Sequence, residues 1–395
     1  MAVILFVVPL LVAAQTLALG VAVRRLLPGR RRQPPVFPLI EPGTDATVSV
    51  IVPTLNEAER IAPCLAGLQA QGSPLLEVLV VDSRSTDGTR ELVADVAAVD
   101  DRFRLITDSP LPYGWVGKVW ALQTGFLAAR GRWILGIDAD TVPAPGMVRA
   151  IIAAVEQNNY GAASFAPRFI QQTAAEQWVQ PAMLVTLIYR CGAAGTEPPP
   201  AERVLANGQC FVVRRSILQK FGGYKSARTS FSDDVTLARQ LARNGVRVGF
   251  LDGSRIIDVY AYRSLGEMWR EWGRSFDLKD STTVARRWYD VAFIWVTMAL
   301  PVPLLVIAVQ QLMVTSFPKQ PVEFSMLWSL IAINGALLSL RLSLVYAIRG
   351  SYDRHGWTFW LSWLADIPAA LRLTISTLRN PKSWRGRKYK SDLAA

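Results

Sequence analysis

Two aspartates close an apolar run in Trp133-Ile-Leu-Gly-Ile-Asp-Ala-Asp-Thr-Val-Pro143. Side chains alternate along a β-strand, so a strand reaching Asp140 would present Asp138 and Asp140 on one face. Carboxylates side by side repel, and a divalent cation or a cationic ligand makes the pair favourable. Mg2+ is typically held by one or two carboxylates plus substrate phosphates, which suits a strand end facing a nucleotide diphosphate. A lone D-x-D is more often a solvated strand end, so the rest of the chain must decide. General base chemistry is constrained as well. The only histidine of the 395 residues is His355, near the C-terminal apolar runs. Ser-His-Asp, Cys-His and His-zinc chemistries are thereby excluded from the middle of the chain, and a carboxylate must serve as base.

The elements that would position these groups alternate between about residues 46 and 262. Val48–Val52, Val78–Val81 and Phe103–Thr107 read as strands, and 56–71, 86–99 and 118–129 as helices. In the first helix Ile61, Leu65 and Leu68 recur at helical spacing. Such alternation gives an α/β fold, a mostly parallel sheet with helices on both faces. Ligands of these sheets sit at the carboxyl ends of the strands. There lie Thr54-Leu-Asn-Glu57, Asp82-Ser-Arg-Ser-Thr-Asp87 and the D-x-D. Further on, Asp233-Asp234 opens a helical stretch, where a pair of acids also fits a plain N-terminal cap. No G-x-G-x-x-G or Walker loop is present.

Four stretches occur in order: Val48-Ser-Val-Ile-Val-Pro-Thr-Leu-Asn-Glu57, Val80-Val-Asp-Ser-Arg-Ser-Thr-Asp-Gly-Thr89, Asp138-Ala-Asp140 and Ser232-Asp-Asp-Val-Thr-Leu-Ala-Arg239. Together they resemble the motifs of inverting glycosyltransferases of family 2, over about residues 46–260. The resemblance implies the GT-A fold, a Rossmann-like mixed sheet. It also implies a nucleotide-sugar donor and a divalent metal, Mg2+ or Mn2+. By that resemblance Pro53 and Glu57 would flank the base and ribose, and Asp82 would hydrogen-bond the uracil or ribose. Asp138 would face the ribose and diphosphate, and Asp140 the metal. Asp234 would be the general base on the acceptor, with Asp233 beside it, where the family usually has Glu-Asp. Lys118 stands where the family often has a Gly-Lys loop and could touch the diphosphate; a solvated lysine at a helix start is the competing reading. Asn207-Gly-Gln209 resembles the sugar-facing strand, against a plain turn. Asp87 reads as a helix cap rather than a ligand.

The hydrophobic fraction, 51%, is high, and the excess lies at the ends of the chain. Residues 2–23 are apolar except for Gln15 and Thr16, and Arg24, Arg25, Arg30, Arg31 and Arg32 follow. Charge after the apolar run reads as a signal anchor with residue 24 onward cytoplasmic. Runs at about 291–315 and 325–348 each approach the roughly 20 residues that span a bilayer. A third run, about 357–378, carries Asp366, which costs about 3 kcal/mol at a span centre, and Pro368. A basic tail follows it, so a re-entrant or interfacial helix is expected, with a full span as the alternative. The layout is an anchor at 1–24, a basic, proline-rich linker at 25–45, and a catalytic domain at 46–262. An interfacial segment at 263–288, a membrane region at 289–378 and a cytoplasmic tail at 379–395 complete it. The net charge of +12 sits mostly beside apolar runs, which points to anionic lipid headgroups rather than nucleic acid. Cys64, Cys191 and Cys210 lack metal-ligand spacing and fit reduced thiols.

For the acceptor side, Trp178 with its apolar neighbours and Trp269-Arg-Glu-Trp-Gly-Arg274 have compositions suited to a membrane interface, against ordinary core packing. Family members that polymerise carry Gln-x-x-Arg-Trp near here; this chain has Trp272-Gly-Arg274, which argues for transfer of a single sugar. The wording around Asn207, Asp233-Asp234 and Trp272–Lys279 is most similar to cyanobacterial carotenoid glycosyltransferases acting on a 2′-hydroxyl. The expectation is a membrane-anchored, metal-dependent inverting glycosyltransferase acting on a lipophilic hydroxyl, a carotenoid first. A sphingolipid, glycerolipid or polyprenyl phosphate is the rival acceptor. A non-catalytic membrane scaffold with a nucleotide-binding fold is the rival of another class.

Overall fold

The computed structural model describes residues 2–40, 46–260, 262, 264–276, 278–314, 321–379, 383–384 and 387–388. The basic tail lies almost wholly outside them. The chain opens with α1 (Ala2–Leu26) and then alternates: β1 (Val48–Thr54), α2 (Ile61–Gln69), β2 (Leu75–Asp82), α3 (Thr89–Val99), β3 (Phe103–Thr107), α4 (Gly117–Ala128) and β4 (Trp133–Ile137). Next come β5 (Thr141–Pro143), α5 (Met147–Gln157), β6 (Ala162–Ala166), β7 (Arg168–Ile170), α6 (Ala174–Cys191), β8 (Cys210–Arg214), α7 (Arg215–Lys220), α8 (Asp233–Arg243), β9 (Val248–Asp252) and β10 (Ile257–Tyr260).

The main sheet has the order β3-β2-β1-β4-β8-β6-β9. Its strands run parallel except β8, which is antiparallel to both β4 and β6. All of β1 is buried because both of its faces are covered. Val48, Val50 and Val52 pack with α2 and α5, whereas Ile51 packs with α4. This is the period of two that a strand imposes. β4, central in the sheet, stops at Ile137. The D-x-D is therefore a turn and not strand: Asp138 O accepts the N–H of Thr141 at 3.2 Å and its hydroxyl at 2.8 Å. The shared-face argument fails for that reason, although both side chains reach the same cavity. The first helix starts at Ile61, not near residue 56, because Asn56 takes a left-handed φ of 55° that no helix continues.

A second core forms from α6, α9 (Leu265–Ser275), α10 (Val284–Ile294), α11 (Pro301–Val314), α12 (Pro321–Ile348), α13 (Trp357–Trp360), α14 (Asp366–Leu378) and the end of α1. Two helices, Val7–Arg31 and Phe324–Ser351, are long and apolar enough to cross a membrane. The segments Val284–Ala299 and Pro301–Met313 form a third candidate, bent by 44°. The bend follows a π-turn at Trp295–Ala299 and Pro301, which cannot donate to the ladder. The run at 357–378 is broken into α13, a 3-10 turn and α14, and α14 has 13 residues, too few to span.

Two buried polar pairs tie helices of this core together. Gln15 exchanges hydrogen bonds of 2.7 and 3.1 Å with Asn334, joining α1 to α12. Asp366 receives Arg341 in a fork at 2.8 to 3.0 Å, both residues buried, which ties α14 to α12. Removing one member of such a pair strands a charge, at about 3–5 kcal/mol, while replacing both by apolar groups of similar size is far milder. Asp366→Ala is therefore expected to lower the thermal unfolding midpoint in detergent more than the double change Arg341→Met with Asp366→Leu. Equal losses would show that the pair carries no uncompensated charge.

Candidate active site

The carboxyl end of the sheet opens into a cavity of about 920 Å³. Its polar end gathers residues from six chain segments. Pro53 leaves the end of β1, and Glu57 lies in the loop that follows. That loop is clamped to the one after β2: Asn56 N–H donates to Ser85 Oγ at 2.8 Å, and Asn56 Oδ1 accepts the Thr86 N–H at 2.9 Å. Asn56 and Arg84 both hold left-handed backbone there, a strained geometry of the kind that concentrates at ligand sites. Asp87 ties the same loops, accepting the N–H of Ala58 at 2.9 Å and that of Thr89 at 3.1 Å.

Lys118, in the first turn of α4, donates to Asp138 at 2.6 Å. Asp233 and Asp234 occupy the first turn of α8. Asp234 Oδ1 accepts the Val235 N–H at 2.8 Å, and the Gly208 N–H also bonds this carboxylate. Burial draws the Lys118 ammonium down, but Asp138, Asp233 and Asp234 outweigh it and hold its pKa above the ordinary lysine value. Burial pushes both Asp233 and Asp234 up from the usual carboxylate range, against the pull of Lys118. Asp233 is the more buried of the two, and both line the cavity.

Asn207 lines the cavity while shaping the turn before β8: its Oδ1 accepts the Gln209 N–H at 3.0 Å. The turn is thus present, and its Asn207 also lines the cavity. Gly208 is the close-approach point, since a Cβ there would lie 3.0 Å from Lys118 Nζ and 3.5 Å from Asp234 Oδ2. Trp272 and Arg274 enter from α9, Arg274 paired with Glu271. Asp82 is placed differently. It is buried at the end of β2, accepts the Ser85 N–H at 3.0 Å and Arg90 at 2.9 Å, and is not among the cavity-lining residues.

A divalent metal fits the donors present. Asp140 offers hard carboxylate oxygens to the cavity, beside Asp138, and one or two carboxylates plus phosphates is the usual Mg2+ set. Among the described residues no three His, Cys, Asp or Glu converge to hold an ion, so substrate phosphates would complete the shell.

The cavity's other end was not legible in the sequence. Leu26 and Leu27 from α1 and the turn after it, Leu184 and Ile188 from α6, and Leu340 and Leu344 from α12 make an apolar limb of the same cavity. Trp178 and Trp269, expected beside the acceptor path, do not line it. Trp178 instead donates to Leu361 O at 3.2 Å, and Trp269 O accepts Arg372 at 2.6 Å, so both pack α6 and α9 against the C-terminal helices. Tyr262, unanticipated, also lines the cavity, near Asp140 and Arg274, and its hydroxyl is held un-ionised chiefly by burial.

Sheet order and site together define a mixed α/β GT-A fold. The mannosyltransferase PcManGT of Pyrobaculum calidifontis, solved with GDP-Man and Mn2+, shares that fold. Its TM-score is 0.52 at 18% identity, with 94% of this chain and 99% of that one covered. Residues 49–222, a little under half of the chain, match the model of glycosyl transferase family 2. Asp233 and Asp234 lie just beyond the matched segment.

The probable glycosyltransferase YdaM of Bacillus subtilis is 25% identical over 230 residues, 58% of this chain and 53% of that protein. The undecaprenyl-phosphate 4-deoxy-4-formamido-L-arabinose transferase of Aeromonas hydrophila is 32% identical over 113 residues, 28% of this chain and 34% of that protein. The chain thus spans about half or less of the length of these curated relatives.

Because Lys118 is the cation that offsets three acids, Lys118→Met is expected to leave the fold intact and to weaken binding of a nucleoside diphosphate, read by titration calorimetry. Unchanged affinity would remove Lys118 from the donor site.

Proposed function

We propose that the protein is a membrane-anchored, inverting glycosyltransferase that moves one sugar from a nucleotide sugar to a hydroxyl of a lipophilic acceptor, a carotenoid first among the candidates. One observation carries this reading: a single cavity joins the carboxylates at the sheet edge to an apolar limb between α1, α6 and α12. A charged donor suits one end and a long apolar acceptor the other. The catalytic domain faces the cytoplasm in this reading, with the arginines after α1 on that side.

In the reaction the acceptor oxygen forms a bond to the anomeric carbon from the face opposite the nucleotide. The bond from that carbon to the diphosphate oxygen breaks, and the nucleoside diphosphate leaves with the electron pair. Asp234 takes the proton of the attacking hydroxyl, and its raised pKa makes it a stronger base than a solvated carboxylate. Lys118 and Arg274 balance charge at the diphosphate end, and Pro53 and Glu57 hold the nucleoside. Mg2+ or Mn2+ held by Asp140, beside Asp138, would neutralise the leaving diphosphate.

Asp140→Ala should abolish transfer and the chelator-sensitive part of donor binding with the fold intact; full activity in excess chelator would sink the metal reading. Asp234→Asn should keep donor binding and lower the chemical rate by roughly the 10²–10⁴ of a lost general base, with Asp233→Asn milder. The reverse ranking would assign the base to Asp233. Asp234 is faced by Lys118, Asp138 and Asp233, and its raised pKa means that protonation begins at higher pH than usual. The acid limb of kcat/KM should therefore lie above the ordinary carboxylate value of about 4. A limb at or below that value contradicts the environment described.

A polyprenyl phosphate acceptor is the second reading, favoured by the undecaprenyl phosphate in the name of the Aeromonas relative. An anionic phosphate needs no base, so a small effect of Asp234→Asn together with lipid-phosphate glycosylation would select it. Incubating membranes holding the protein with a panel of nucleotide sugars, and weighing the extracted lipids by mass spectrometry, identifies the acceptor directly.

A further inference from the structure

We infer that the mouth of the cavity binds an anionic phospholipid, its phosphate on Arg30 and Arg349 and its acyl chain along the gap between α1 and α12. The inference rests on α1 and α12 being membrane helices, and on no particular acceptor; because the acyl chain shares Leu27 and Leu344 with the limb assigned above to the acceptor, lipid and acceptor would exclude one another there. Both helices end at the mouth, α1 at Leu26 and α12 at Ile348, each followed by a short 3-10 turn. Arg30 lies in the first turn and Arg349 in the second, and both are exposed and line the cavity. Among the described residues neither has an ion-pair partner. Arg32, also on the rim, is 4.0 Å from Asp252 and is partly compensated.

The carriers of these charges are fixed. The guanidinium of Arg349 lies 3.6 Å from the Tyr346 ring centroid and donates to Tyr346 O at 2.9 Å. The Arg30 turn is tied down as well: Gln33 N–H donates to Gly195 O at 2.7 Å, and a Cβ on Gly195, whose φ is +81°, would lie 2.9 Å from Gln33 O.

Two arginines beside an apolar gap match a phosphodiester that carries hydrocarbon chains. A zwitterionic headgroup adds a cation that the rim does not need. A free phosphate leaves Val23, Leu27 and Leu344 uncovered. Without a divalent ion the acids that line the same cavity, Asp138, Asp140, Asp233 and Asp234, repel an anion, which favours the arginines of the rim as the seat of the phosphate.

The test uses the full-length protein in detergent, without donor or acceptor, so its outcome is separate from glycosyl transfer. Native mass spectrometry follows retention of added phosphatidylglycerol and phosphatidylcholine. Phosphatidylglycerol should be retained preferentially, and Arg30→Gln with Arg349→Gln should weaken its retention about tenfold, the equivalent of one charge-assisted hydrogen bond. Arg24→Gln with Arg31→Gln, which alters arginines of the same segment outside the lining, should not. The double lysine variant, Arg30→Lys with Arg349→Lys, should keep part of the retention and shows that loss is not misfolding. Equal retention of phosphatidylcholine, equal loss in the Arg24 and Arg31 variant, or displacement of the lipid by millimolar glycerol phosphate would each overturn the proposal.

Discussion

The site depends on one electrostatic constraint: several carboxylates must be kept together, out of water, by one ammonium. Asp138 arrives from the end of β4, and Asp233 and Asp234 from the start of α8. Burial disfavours all such charges, and mutual repulsion adds to the cost. Lys118 answers both, bonded to Asp138 and close enough to the other two to be held charged by them. The start of α8 helps, because a helix N-terminus favours negative charge on its first turn. The backbone N–H groups of Val235 and Gly208 complete the support of Asp234. The sheet order serves this constraint. β4 lies between β1 and β8, so the donor loop, the D-x-D turn and the Asn207 turn meet at one edge.

Most of the candidate site residues that line the cavity were legible because they fall at strand ends or helix starts, where short local patterns mark both the element and the group. Strand–helix alternation likewise gave the α/β class, and the parallel pairing of β1 with β2 and β4, and of β2 with β3, bears out the mostly parallel arrangement. Geometry within the motifs was less legible. Nothing in Gly136-Ile-Asp-Ala-Asp140 tells a strand from a turn, and the hydrogen bonds of Asp138 O to Thr141 decide it. Asp82 has the right type at a strand end, but Arg90 and the Ser85 N–H engage it away from the cavity lining.

The apolar limb was illegible for a different reason. It is built from α1 and α12, at opposite ends of the chain, and no local periodicity records that two such helices meet. Gln15, an isolated polar residue in an apolar run, was the available signal. Buried polar groups need partners, and Asn334 supplies one. Trp178 of α6 and Trp269 of α9 misled because aromatic and cationic composition suits both an interface and a core. Here it serves the seam with α13 and α14, where Arg372 meets Trp269.

Joining a charged pocket to an apolar one poses a coupling problem. In the proposed reaction a lipophilic acceptor would deliver its reactive end to Asp234 while its body stays in hydrocarbon, which would require the two cores to hold a fixed relative position. α9 supplies the joint. Its buried Trp272 belongs to the helical core and lines the cavity, and its Glu267 reaches the other way to Arg60 at 2.7 Å. Arg60 directly precedes α2, three residues beyond Glu57 in the loop after β1. A displacement of α9 would thus move the Trp272 wall of the cavity and the Glu57 loop together. In the proposed reaction the Arg60–Glu267 pair, partly buried on both sides, would be a contact through which the helical core sets the alignment of the two substrates.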